Sequence, residues 1–181
     1  KRNLMNEMKD YTFVKSLEDY KNTFSKNIGF FTAYDDPIQK NFGREPSLED
    51  IIEATIEKLK NFDKPFFILV EGSQIDWAEH DNDQEYLLSE MLEFDKAVDV
   101  SYKYAIENKN TLVIVTADHE TGGAAIVSGD LEKQIVKINY SSDEHTSEMV
   151  PVFSIGPYSE KFKGVYDNTE IFNKLFEIVN Q

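Results

Sequence analysis

The chain holds three histidines, His80, His119 and His145, and each stands close to acidic residues. They occur as Asp76-x-x-x-His80, as Asp118-His119 and as Asp143-Glu144-His145. An isolated histidine is more often a surface or hydrogen-bonded core residue than a ligand. Three out of three beside carboxylates favour metal binding, because zinc accepts neutral imidazole nitrogen and carboxylate oxygen together. Asp76 and His80 are four residues apart, which places them on one face of a helical turn.

The elements that must position these side chains follow from the apolar pattern. Phe66-Phe67-Ile68-Leu69-Val70 is a continuous apolar run of the kind that fills a doubly covered central strand, and it ends at Glu71-Gly72. Thr111 to Ala117 is a second buried strand, ending at Asp118-His119, and Val150 to Ile155 is a third. Ligands of open α/β sheets gather at the carboxyl ends of strands, so one sheet edge is expected to collect Glu71, Asp76, His80, Asp118 and His119. Short strands are expected at Tyr11–Val14 and Ile28–Phe31 around a helical stretch from Ser16 to Ser25, and strand-like stretches near 124–127 and 134–140. Ser47 caps a helix with Ile52, Thr55, Ile56 and Leu59 on its buried stripe. Residues 83 to 108 carry Leu87, Met91, Phe94, Val98 and Ala105 at helical spacing. A last helix runs from about Thr169 to Val179, with Ile171, Phe172, Leu175, Phe176 and Val179 expected to face inward. The periodicity fails from Asp35 to Pro46, which reads as a flexible loop. The predicted fold class is α/β, a central and mostly parallel sheet with helices on both faces.

Composition bounds the function. The 181 residues suffice for one domain with a hydrophobic core. Nineteen basic against 34 acidic residues give a formal charge of -15, a field that repels a nucleic-acid backbone. There are no cysteines, so disulfides, thiolate metal sites and a cysteine nucleophile are excluded. No stretch reaches the roughly 18 apolar residues of a membrane span. The first residues, Lys1 to Glu7, contain no apolar leader core, and the chain reads as an excised piece of a longer protein.

Three segments carry a resemblance. Val70-Glu71-Gly72-Ser73-Gln74-Ile75-Asp76-Trp77-Ala78-Glu79-His80, then Thr116-Ala117-Asp118-His119-Glu120-Thr121-Gly122-Gly123, then His145-Thr146-Ser147-Glu148-Met149-Val150-Pro151-Val152 resemble the metal-site segments of the alkaline phosphatases, in the same order. Looser similarity extends from about residue 10 to residue 179. The resemblance implies that Asp76, His80 and His145 bind a first zinc ion. It implies that Asp118 and His119 contribute to a second, and that Glu71 is a magnesium ligand. Two zinc ions on the order of 4 Å apart would hold phosphate in an in-line displacement. The oxygen-only magnesium position suits a carboxylate. The resemblance further implies a phosphomonoesterase that acts on small phosphate monoesters through a phosphoserine, is a homodimer, and is periplasmic or secreted.

Departures from the family pattern qualify this. No Asp-Ser dipeptide occurs in the chain, so the serine nucleophile of an Asp-Ser-Ala segment is missing. The two arginines, Arg2 and Arg44, lie outside the expected phosphate-binding context. Trp77 stands where several relatives place a lysine or histidine, leaving an indole that can stack or donate one hydrogen bond. Residues 1–181 are therefore expected to be the C-terminal, metal-ligand-bearing part of one alkaline-phosphatase-like domain, an incomplete fold, inactive alone. The competing readings are a zinc-binding module without turnover and a related phosphodiesterase, sulfatase or phosphoglycerate mutase.

Overall fold

The structure is a computed structural model that describes residues 2–62 and 64–180. The chain divides into two compact units, Lys1–Glu71 and Gly72–Gln181.

In the first unit, helix α1 (Leu4–Glu7) starts at Asn3, whose side chain accepts from the Met5 amide. Strand β1 (Thr12–Val14) pairs in parallel with β2 (Ile28–Phe30), Phe13 standing opposite Gly29. Helix α2 (Leu17–Asn22), capped by Ser16, makes the crossover that a parallel pair requires. Gly29 is needed for packing, because a Cβ there would lie 2.6 Å from the Phe13 ring. The segment read as a loop, 35–46, contains a single 3-10 turn, Lys40–Phe42, closed by Gly43 in the left-handed region. Helix α3 (Leu48–Lys60) begins in a reciprocal capping box between Ser47 and Asp50. That hydrogen bond from Ser47 holds the Asp50 carboxyl below its ordinary range. Ile52, Ala54 and Ile56 are its buried residues. The Thr55 hydroxyl donates to the Ile51 carbonyl, so it accepts from Tyr20 of α2 at 2.9 Å. Lys58 donates to the Lys21 and Thr23 carbonyls, satisfying the end of α2.

In the second unit, α4 (Gln74–His80) packs on the long helix α5 (Gln84–Glu107), whose N-cap is Asp83. Ala78, Tyr86 and Leu87 form a buried cluster, with Ile75, Ile138 and Tyr140 against it. The Tyr86 hydroxyl donates to the Gln74 side chain at 2.8 Å. Strands β3 (Val113–Thr116), β4 (Glu120–Thr121), β5 (Ala125–Asp130), β6 (Ile135–Asn139), β7 (His145–Thr146) and β8 (Val152–Ile155) form the pairs β3–β8, β4–β7 and β5–β6, all antiparallel. The Gln84 amide bridges β6, donating to the Val136 carbonyl and accepting from the Ile138 amide. A 3-10 turn, Ser159–Phe162, and helix α6 (Glu170–Val179) complete the unit.

Strands and helices therefore occur close to where the apolar pattern places them, and three expectations fail. First, in place of the expected mostly parallel sheet, the described residues form four two-stranded pairs, of which β1–β2 is parallel and the other three antiparallel. The chain between β3 and β8 contains strands and turns but no crossover helix, so β8 returns antiparallel. Second, Phe66–Val70 lies outside all four pairs, and Leu69 is 85% exposed. A central strand needs ladder partners on its flanks, and among the described residues none pairs with this run. Third, Phe172, Phe176 and Val179 of α6 are exposed rather than inward-facing. On α5, likewise, Met91 is exposed while Glu90 and Glu93 are buried. Among the described residues no helix is long and apolar enough to cross a membrane.

Two glycines of the second unit separate crowding from backbone strain. Both Gly156 (φ +105°) and Gly164 (φ +107°) adopt the conformation that L side chains rarely reach. A Cβ on Gly156 would overlap the Thr111 carbonyl, whereas one on Gly164 meets nothing within 4 Å. Gly164→Ala is expected to cost about 1–2 kcal/mol, and Gly156→Ala about 3 kcal/mol or more, in chemical denaturation. Equal losses would contradict this packing.

Candidate metal centre

Asp76 and His80 lie one turn apart on α4, with fully buried Ala78 between them holding the helix against its neighbours. His145 reaches the same place through the β4–β7 pair, in which it stands opposite Thr121. The three side chains converge: the Nε2 atoms of His80 and His145 are 3.1 Å apart, and each is 3.5 Å from Asp76 Oδ1. Around a tetrahedral zinc with ligand distances of about 2.0–2.1 Å, neighbouring ligand atoms stand about 3.3 Å apart. The three donors thus have the spacing of three ligands of one tetrahedral ion.

Hydrogen bonding orients the donors. His80 Nδ1 lies 2.6 Å from the Asp143 carbonyl, which can only accept, so Nδ1 carries a proton and the neutral ring turns its Nε2 lone pair to the cluster. The same bond holds the His80 imidazole above its ordinary range, helped by the charges of Asp76, Glu144 and Asp143. Asp76 Oδ1 accepts from the Thr121 hydroxyl at 2.6 Å. The Glu120 carboxylate accepts from the Gly123 and Ala124 amides and from the Thr146 hydroxyl, tying β4 to β7 beside His145. Burial alone would raise the Glu120 carboxyl, but these donors outweigh it and hold it low.

The remaining sequence-derived residues take different places. The His119 ring stacks on His145 with centroids 3.7 Å apart, and its Nε2 lies 3.4 Å from Asp118 Oδ2. That pair also has the separation of two ligands of one ion, although the Asp118 side chain is 87% exposed. Trp77 is exposed on α4 beside Asp76. Glu71 is an exposed residue at the end of the first unit, and it is not among the converging donors.

The alkaline phosphatase family profile matches residues 1–135 and 127–181. The chain belongs to the alkaline phosphatase family. It is 31% identical to "Alkaline phosphatase 4" of Bacillus subtilis, over 98% of this chain and 54% of that protein. The structure of the alkaline phosphatase from the Antarctic bacterium TAB5 superposes with a TM-score of 0.88 at 33% identity, over 98% of this chain and 54% of that one. A variant of the TAB5 enzyme with magnesium bound in its M3 site superposes equally well, with a TM-score of 0.88 at 31% identity over 99% and 56% of the two chains. The chain spans about half the length of the curated relatives it matches.

Histidine counting did not single out Glu79, Glu120, Thr121 or the Asp143 carbonyl. Glu120 and Thr121 form a two-residue strand, too short for any periodicity. Glu79 is half-buried, and burial together with the charges of Glu120 and Asp76 pushes its carboxyl up to about 7, against the opposing pull of His80. In metal-free protein the folded state therefore holds the Glu79 proton more tightly than the unfolded chain. The associated stability is complete below about pH 4.5 and is lost as pH rises through about 7. His80, also raised, acts in the same direction at the upper end. Thermal melting of metal-free wild type is expected to weaken across this window more steeply than that of Glu79→Gln. Parallel profiles would show that Glu79 is not perturbed.

Proposed function

We propose that this chain is the metal-ligand-bearing C-terminal portion of an alkaline phosphatase domain, and that the full-length protein hydrolyses phosphate monoesters through a phosphoserine. The observation that carries this reading is the spacing of Asp76, His80 and His145, which matches three ligands of one tetrahedral ion. In this reading these three residues hold the first zinc ion. Asp118 and His119 contribute to a second, and Glu71 serves a magnesium position, with Trp77 beside the ligands. The donor chemistry fits: imidazole and carboxylate suit zinc, and an oxygen-only ligand suits magnesium.

When bound, zinc supplies Lewis-acid stabilisation of phosphate charge and a water acidified to near neutrality. The chain's own residues do the orienting. His80 is held by the Asp143 carbonyl, and Asp76 by the Thr121 hydroxyl. By likeness to the family, we propose a periplasmic or secreted homodimer for the full-length protein. The 181 residues alone contain no Asp-Ser dipeptide, and we place the nucleophile outside them. Alone they act as a zinc-binding module without turnover. The related phosphodiesterase and sulfatase readings lack the support that the family match gives to a phosphatase.

Two measurements test this. In calorimetric zinc titrations His80→Ala and His145→Ala are expected to weaken binding at least 100-fold, while Glu132→Ala, an exposed acid, leaves it unchanged. Wild-type affinity in both histidine variants would remove the first site. Hydrolysis of p-nitrophenyl phosphate by the 181 residues with added zinc and magnesium is expected to stay at background, and appreciable turnover would mean that a nucleophile lies within them.

A further inference from the structure

Thr121 is 1% exposed, and its hydroxyl lies between two groups that the metal reading assigns to different ions. It donates to Asp76 Oδ1 at 2.6 Å and lies 3.2 Å from His119 Nδ1. A threonine hydroxyl has one proton to give. The ionised carboxylate of Asp76 can only accept, and a contact of this length is a charge-assisted bond, so the proton goes there. Toward His119 the hydroxyl can then only accept, which requires that His119 Nδ1 carry a hydrogen. Thr121 itself is buried, so its hydroxyl meets these two side chains and not solvent.

We propose that Thr121 is a positioning residue which sets the ligand geometry of both halves of the centre: it fixes the Asp76 carboxylate and imposes the Nδ1–H tautomer on His119. The consequence lies at the far side of the ring. With the hydrogen on Nδ1, neutral His119 presents the Nε2 lone pair, 3.4 Å from Asp118 Oδ2, as a ready metal donor. Two lone pairs at that separation repel unless a cation lies between them, so the hydroxyl makes this pair a ligand set instead of a hydrogen bond. The backbone serves the same end. Thr121 faces His145 across the β4–β7 pair, so the residue that orients Asp76 and His119 is held in register with the third histidine. The part of this inference that concerns metal affinity rests on the zinc reading above; the tautomer does not.

The test uses Thr121→Val, which keeps the shape and removes the hydroxyl, and Thr121→Ser, which keeps the hydroxyl. Long-range proton–nitrogen NMR of the three histidines, on metal-free protein at about pH 8 where free imidazole is neutral, reads the tautomers directly. His119 is expected to be Nδ1–H in wild type and Thr121→Ser, and to lose that preference in Thr121→Val. Zinc affinity is expected to fall about 10–100-fold in Thr121→Val and to recover in Thr121→Ser. An Nε2–H tautomer in wild type overturns the proposal, and that measurement needs no variant to fold. An unchanged tautomer and affinity in folded Thr121→Val overturns it as well. Failure of wild type itself to bind zinc would count against the zinc reading, while the tautomer result would still decide the role of Thr121.

Discussion

The pairing of two residues with two others, Glu120–Thr121 with His145–Thr146, is the contact on which the centre depends. Asp76 and His80 need only a helical turn to meet, but His145 is 65 residues beyond His80 and no local rule brings it there. A ladder this short has little stability of its own. It is reinforced by side chains. Glu120 gathers two amides and the Thr146 hydroxyl on one face of the pair, and Thr121 binds Asp76 on the other. The Gly122 amide donates to the Glu144 carbonyl, and the Gly122 carbonyl accepts from the Ser141 and Ser142 amides, which turns the chain back toward His145. With φ values of +79° and +55°, Gly122 and Gly123 supply a backbone that other residues rarely adopt.

Electrostatics sets the cost of this arrangement. Burial of Glu79, reinforced by the charges of Glu120 and Asp76, is why Glu79 keeps its proton up to about 7. Glu120 escapes the same fate because it accepts hydrogen bonds from the Gly123 and Ala124 amides and the Thr146 hydroxyl. A cation among Asp76, His80 and His145 would act on this imbalance directly, since positive charge within a few ångströms favours the ionised form of every carboxylate nearby. Metal uptake at this cluster would thereby be linked to proton release through the same residues. The overall charge of -15 adds a long-range attraction for cations, screened over about 8–10 Å at physiological salt, so the local cluster decides.

How much of this was legible in the sequence depends on what each signal records. Periodicity records which residues must be covered, so α3 and α5 and the strand pairs β1–β2 and β3–β8 occur near their expected positions. It does not record what covers them. Phe66–Val70 and the apolar face of α6 carry the pattern of buried elements, yet Phe66, Phe67, Leu69, Phe172, Phe176 and Val179 are exposed. Strand direction was equally invisible, because it follows from the connection between strands and not from the strands themselves. Histidines were legible as candidate ligands because there are three in 181 residues, each beside an acid. Glutamates were not, because acids are common in this chain, and only burial distinguishes Glu79 from its exposed counterparts.

A two-residue strand and a threonine hydroxyl leave no periodic trace, yet the strand brings in His145 and the hydroxyl meets the His119 ring. His80 takes its orientation from a backbone carbonyl and His119 from a side-chain hydroxyl, and each arrangement spends the Nδ1 position on protein and frees Nε2. His145 differs. Its Nε2 faces His80 at 3.1 Å, a distance that accommodates a shared proton or a cation of small radius but not two bare lone pairs. The protein scaffold thus orients His80 and His119 from outside the cluster, through the Asp143 carbonyl and the Thr121 hydroxyl, and leaves their Nε2 atoms near Asp76, Asp118 and His145.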